Sequence, residues 1–250
     1  MKLTPTLGGA YSGSIGGWTA SHNKGGAYFR RRSVPTNPAT EAQNEVRAIF
    51  GSLAQQWTSL LTPSQRAAWN TYASNVSWTD VLGQTIQLSG LNHYIRSNTP
   101  RVQADSVIGA SSPRIDTAPV LFELGVTPQL LSSSIAHVTG PPETVVLSAA
   151  WTNGAAYTTG NEIIFIFVSP PQNPSIKFYK GPYYLMVADV ADTSPLAVPL
   201  FSSAAVNRYE ARFGPIETGQ AVFIAARVSM DDGRLSSLAR EGPILVPVAA

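Results

Sequence analysis

The stretch from Thr40 to Val76, TEAQNEVRAIFGSLAQQWTSLLTPSQRAAWNTYASNV, constrains this chain more than any other. It carries two helix start signals. Thr40 and Gln43 fit the S/T-x-x-E/Q box, in which two side chains satisfy N–H groups that a helix leaves unpaired at its start. Pro38 keeps the lead-in extended. Ala42, Val46, Ile49, Phe50, Leu53, Trp57 and Leu60 then recur at steps of three and four, which predicts one apolar helical stripe. Thr62 repeats the cap, Pro63 takes the first helical position and Gln65 closes the box. Ala68, Trp69, Tyr72 and Val76 continue a second stripe. With so short a join the helices are expected to fold back or cross steeply. Their expected core is Phe50, Leu53, Trp57, Trp69 and Tyr72, with the two tryptophans near the crossing.

Around this hairpin the composition sets bounds. A chain of 250 residues holds one large or two small domains, and 44% apolar residues are enough for a core. Charged residues make up only 13%, about half the usual quarter. So few charges favour a surface that neighbours cover, as in an assembly subunit. The net charge of +2 is too small to indicate a nucleic-acid binder by itself. There is no cysteine, which excludes disulfides and thiolate metal sites. No apolar run is long enough for a membrane span, and no signal peptide is expected.

Residues 1–39 are rich in glycine and poor in large apolar residues, so they are expected not to fold alone. They hold Lys2, Lys24, Arg30, Arg31 and Arg32, and the first carboxylate is Glu41. The remaining 12 basic residues face all 15 acidic ones. A basic arm on a slightly acidic body is complementary to its own copies. Lys24, Tyr28, Arg30, Arg31 and Arg32 are the candidate assembly residues. Three readings stay open: an arm that orders on a neighbour, contact with nucleic acid through Arg30–Arg32 by phosphate neutralisation, or a solvated loop beside a small hairpin. No phosphate-loop motif occurs.

After the hairpin, Trp78–Leu88 predicts a loop or strand pair turning at Gly83. Ser89 caps a third helix through Leu91, Tyr94, Ile95 and Val102, limited or kinked by Pro100. Residues 103–141 read as a connector, in which Val120–Leu124 begins the next domain. Strand patterns follow at Thr144–Trp151, Glu162–Val168, Tyr183–Val190, Arg208–Phe213, Ala221–Ser229 and Pro243–Val248. Asn153-Gly154, Gly160-Asn161 and Asp232-Gly233 mark turns, and Pro170, Pro171 and Pro174 break strands.

Catalytic patterns are missing. His22, His93 and His137 have no zinc-site spacing, and no nucleophile elbow occurs. Asp231-Asp232-Gly233 lacks the rest of a calcium loop and reads as a hairpin turn. Tyr179, Tyr183 and Tyr184, with Lys177 and Lys180, surround Pro182 as an aromatic-basic loop that suits a sugar or protein ligand, or else a sandwich edge with half-buried tyrosines.

Two resemblances add to this. The run TGQAVFIAARVSMDDGRLSSLAREGPILV resembles the last strands of a fibronectin type III-like sandwich, which implies a binding or spacer fold. SGSIGG, NKGGAYFRRR, PTNPATEAQ, LTPSQRAAWNTYA and SGLNHYIRSN, within residues 8–98, resemble a family of uncharacterised proteins of bacteria and their phages. That resemblance implies a phage-associated or surface structural role and transfers no site residues. The expected fold class is α+β: an extended basic arm (1–39), a helical hairpin domain (40–104), a connector (105–141) and an immunoglobulin- or fibronectin III-like β-sandwich (142–250). The expected function is a non-enzymatic structural subunit of a virus particle, of tailed-phage type, assembled in the host cytoplasm. Its partners would be copies of itself and other virion proteins, with nucleic acid at the arm as an open option, no cofactor and no membrane. The alternative is a module that binds glycan or a host protein through the sandwich loops.

Overall fold

The cap signal at Thr62 is realised in full and that at Thr40 in half in the computed structural model, which describes residues 2–3, 11–23, 26–108, 114–123, 125–138, 144–152, 162–190, 196–202 and 208–247. Helix α1 (Glu41–Ser59) starts where the Gln43 N–H donates to Thr40 Oγ1 at 3.4 Å. Helix α2 (Pro63–Asn75) has the full reciprocal box: the Gln65 N–H reaches Thr62 Oγ1 at 3.3 Å, and the Thr62 N–H reaches Gln65 Oε1 at 2.9 Å. Arg66 folds back and donates to the carbonyls of Trp57 and Thr58, which would otherwise end α1 unpaired. A short hairpin follows, β5 (Ser77–Thr79) with β6 (Thr85–Gln87), turned at Gly83 with φ +77°.

Helix α3 (Gly90–Ile108) packs on both α1 and α2. The Asn92 N–H donates to Ser89 Oγ at 3.3 Å, as the cap pattern predicts. The helix runs through Pro100 instead of stopping there. In the turn before it, Thr99 Oγ1 donates to the Ile95 carbonyl at 2.7 Å and the Asn98 amide to the Tyr94 carbonyl at 3.0 Å, and the far half is held by packing on a sheet. Tyr94 makes the shared core. Its ring lies 5.6 Å from Trp57 and 5.7 Å from Trp69, and Leu53, Trp69 and Tyr72 are buried around it. One expected core residue, Phe50, and the last residue of the predicted stripe, Leu60, are corrected. Phe50 is 46% exposed and Leu60 is 59% exposed, whereas Ile49 and Leu61 are buried. The stripe is wider than the surface α3 covers, so its edge stays outside.

Seven strands make two further sheets. Strands β7 (Gln129–Val138), β8 (Thr144–Thr152) and β11 (Leu196–Ser202) pair antiparallel in the order β11-β8-β7. Strands β9 (Ile163–Val168), β10 (Tyr184–Val190), β12 (Ala221–Ser229) and β13 (Ala239–Leu245) pair antiparallel in the order β10-β9-β12-β13. Val145, Leu147 and Trp151 of one meet Ile164, Ile166, Val222 and Ile224 of the other in one core. The alternate residues of β9, Ile163 and Phe165, face the other way and pack with Leu185 and Ala188 against Ala104 of α3. Both faces of β9 are therefore covered, which is why IIFIFV shows no polar alternation. The order through the molecule is helices, sheet, sheet.

Several boundaries differ from expectation. Residues 105–141 contain the end of α3 and all of β7, while Val120–Glu123 form no regular element. β11 was not foreseen; its Pro199 suits an edge strand, where one missing N–H breaks no ladder. Arg208–Phe213 is a helix, α4, not a strand. Tyr209 and Phe213 stand one turn apart with rings 5.0 Å apart, and Tyr209 is buried in the sandwich core. Gly214, at φ +79°, ends the helix through its N–H to the Glu210 carbonyl. β13 begins at Ala239, earlier than expected. The turns at Asn153-Gly154 and Gly160-Asn161 lie outside the described residues.

The glycine-rich segment also departs from expectation. It is not a single extended arm. Strands β1 (Lys2–Leu3), β2 (Tyr11–Ile15), β3 (Trp18–Asn23) and β4 (Gly26–Arg31) pair antiparallel as a meander. Gly16, at φ +55°, and Gly17 supply the two-residue turn between β2 and β3.

Candidate assembly surfaces

Side chains in a strand alternate between faces, so pairing register decides what each face of the meander offers. Ile15 stands opposite Trp18, Trp18 opposite Arg31, and Ala20 opposite Phe29. Ile15, Trp18, Phe29 and Arg31 therefore share one face. The first three are 62%, 58% and 51% exposed. Tyr28 and Arg30 lie on the other face with Ser14 and Thr19, which hydrogen-bond to each other at 2.8 Å. Arg30, Arg31 and Arg32 thus do not form one basic patch: the first two point to opposite faces, and Arg32 follows the strand. Lys24 lies outside the described residues. The strand leads into a stretch clamped to α1, where Arg47 donates to Asn37 Oδ1 at 2.8 Å and Asn44 to the Ala39 carbonyl at 3.1 Å.

At the junction of helices and sandwich the deciding group is Arg101, buried on α3. Its Nε donates to Ser229 Oγ and its Nη2 to the Met230 carbonyl, both at 2.8 Å. Burial pushes the guanidinium below its ordinary value, and the carboxylates of Asp231, Asp232 and Glu162 pull it back. Nearby, Asn98 clamps the backbone of Ile115 through N–H and carbonyl, at 2.7 and 3.0 Å. Trp69 donates to the Asp116 carbonyl at 3.0 Å. The segment after α3 is thereby stitched between the helices and the turn after β12. That turn is the hairpin expected at Asp232-Gly233: the Met230 N–H meets the Arg234 carbonyl at 2.8 Å, and Gly233 has φ +93°.

The tyrosines of the aromatic-basic loop pack on the protein itself. Tyr179 stacks on Phe223 with centroids 5.7 Å apart and donates to the Pro182 carbonyl. Tyr183 donates to the Tyr179 carbonyl. Tyr184 lies between Phe213 and the Arg212 guanidinium, 4.0 Å above its ring. Tyr183 and Tyr184 line one wall of a cleft of about 650 Å³, with Arg47, Arg208 and Arg212 around it. Of the histidines, His22 is exposed, the side chain of His137 lies outside the described residues, and His93 is buried against Tyr72 and Trp78. Among the described residues no three of His, Asp and Glu stand close enough to hold a metal ion, and no helix is long and apolar enough to cross a membrane.

The chain matches no family model, no curated protein and no solved structure. Three features of the fold lie outside the expectations drawn from the sequence. The face of Ile15, Trp18 and Phe29 had a usable signal, because apolar residues flank Gly16-Gly17 in a hairpin pattern. Arg101 had none, since its burial depends on a sheet more than a hundred residues away. Val120, Leu121 and Phe122 looked like the start of a strand but are exposed, Val120 at 84%.

Proposed function

We propose that the chain is a non-enzymatic structural subunit of a virus particle, of tailed-phage type, that assembles with its own copies and other virion proteins. The observation that carries this reading is the face of the N-terminal meander, where Ile15, Trp18 and Phe29 stand side by side in solvent. Large exposed apolar patches on a folded chain mark interaction sites. The low charge content of 13% agrees with a surface that neighbours cover. The phage setting draws on the resemblance of residues 8–98 to proteins of bacteria and their phages. Arg31 at the rim of that face also leaves nucleic acid as a contact. We further infer that the C-terminal unit is a fibronectin type III-like sandwich. Its support is the strand order: first, second and fifth strands in one sheet, third, fourth, sixth and seventh in the other. Binding through the tyrosine loop draws less support, because those rings pack on Phe223, Phe213 and Arg212.

Sedimentation velocity over rising concentration tests the assembly reading. The wild-type chain should form defined oligomers, and the double variant Trp18→Ser, Phe29→Ser should form smaller or fewer oligomers with unchanged thermal unfolding. Equal sedimentation of the two forms would refute it.

A further inference from the structure

A groove of about 470 Å³ runs between α1, α3 and the outer face of the β10-β9-β12-β13 sheet. Its walls are mostly apolar, with Phe50 of α1, Ile95 and Pro100 of α3 and Phe167 of β9, and Asn92, Thr99 and Gln103 add polar groups. Two arginines, Arg96 and Arg227, also line it, and no carboxylate does among the described residues. Arg227 Nε is buried with no hydrogen-bond partner. Arg96 lies over the Trp78 ring at 4.7 Å and donates to the Leu235 carbonyl at 3.4 Å. Burial and the neighbouring Arg227 pull Arg96 down to about 10. Two desolvated like charges in an apolar groove leave a place for an anion carried on an apolar body.

The same chain displays such a group. Val120, Leu121 and Phe122 are exposed, and they run directly into the exposed Glu123. This segment leaves the flank of α3 where Asn98 holds Ile115. At about 100° per residue, Ile95 and Thr99 lie roughly 60° and 100° round α3 from Asn98, and Asn92 and Gln103 further still.

We propose that the Val120–Glu123 segment of one copy docks in this groove of a second copy, with its apolar residues on Phe50 and Phe167 and the Glu123 carboxylate between Arg96 and Arg227. This rests on the assembly reading above and supplies a second, head-to-tail contact for it. The knob is an apolar anchor, and the paired charges set its register.

The test is sedimentation velocity of full-length Glu123→Arg, Phe122→Asp and Arg227→Glu. Glu123 and Phe122 are exposed, so those two variants keep the fold; Arg227→Glu places its carboxylate beside Arg96. Each single variant should weaken association by more than about tenfold. An equimolar mixture of the Glu123→Arg and Arg227→Glu chains should restore one contact per pair, because the intact Glu123 of the second chain then meets the intact Arg96–Arg227 groove of the first. Glu123→Arg and Phe122→Asp chains that associate like wild type would overturn the groove contact while leaving the meander face standing. A mixture no stronger than its components would overturn it too. A wild-type chain that stays monomeric at every concentration would remove both readings.

Discussion

His93 makes the stability of the helical unit depend on pH in a way that can be worked from its surroundings. It sits on α3 with its ring 5.1 Å from Tyr72 of α2. Its Nε2 accepts from Trp78 Nε1 at 3.3 Å, so that nitrogen must be unprotonated. Burial, and after it the Arg96 charge, push the imidazole down from 6.5 to about 4. Between those values the unfolded chain binds a proton that the folded chain refuses. Stability is then complete above pH 6.5 and falls as pH drops towards 4. At about 1.4 kcal/mol per pH unit, the interval corresponds to a loss of up to about 3 kcal/mol. The assay is urea unfolding between pH 7 and pH 4 of the wild-type chain and of His93→Gln, whose amide oxygen keeps an acceptor for Trp78. Carboxylate titration contributes to both chains alike. The variant should be less stable at pH 7 through lost ring packing, by about 1–2 kcal/mol. Its stability should then decline less steeply with acid, the difference between the two curves shifting by up to about 3 kcal/mol by pH 4, enough for the variant to overtake the wild-type chain. Parallel curves would refute the reasoning, because they would mean that His93 titrates alike in the folded and unfolded chains.

Two other substitutions test the packing. Arg101→Ala leaves Ser229 Oγ and the Met230 carbonyl without their donor and opens the helix–sheet junction, so denaturant unfolding should show a loss of about 3–5 kcal/mol. The Tyr94 hydroxyl is buried with no hydrogen-bond partner, and burial raises it to about 12; Tyr94→Phe should therefore be neutral or raise stability by up to about 1 kcal/mol, read as an unchanged or higher Tm.

What the sequence revealed and what it hid divide along the range of the interactions involved. The helix starts at Thr40, Thr62 and Ser89 depend on side chains within three residues, and all three were legible. The strands β8, β9 and β12 were legible as apolar runs. Arg208–Phe213 was not, because six residues alternate equally well as a strand, and only Tyr209 entering the sandwich core makes the helix. Phe50 could not be told from Leu53 by spacing, since the choice between them is made by where α3 lies. The candidate arm residues were identified by charge, yet pairing register separates Arg30 from Arg31 and brings forward Trp18 and Phe29 instead. Register has a period of two, and a shift of one residue would exchange the faces.

The junction around α3 bears on how the two halves work together. A strand buried on both faces, such as β9, cannot lose its helical cover without exposing Ile163 and Phe165 to water. A buried cation such as Arg101 cannot lose Ser229 and Met230 without giving up two short hydrogen bonds in a place where water does not replace them. Each half thus completes the other, unlike two domains on a flexible tether, whose interfaces are small and polar. The proposed groove lies on this body beside α3, while the meander face is carried on a stretch tied to α1 through Asn37 and Ala39. Contacts fixed to one rigid unit hold neighbours at set angles, which an assembly with defined symmetry requires. A free-standing ligand-binding sandwich would have no need for its outer sheet face to be sealed by a helix.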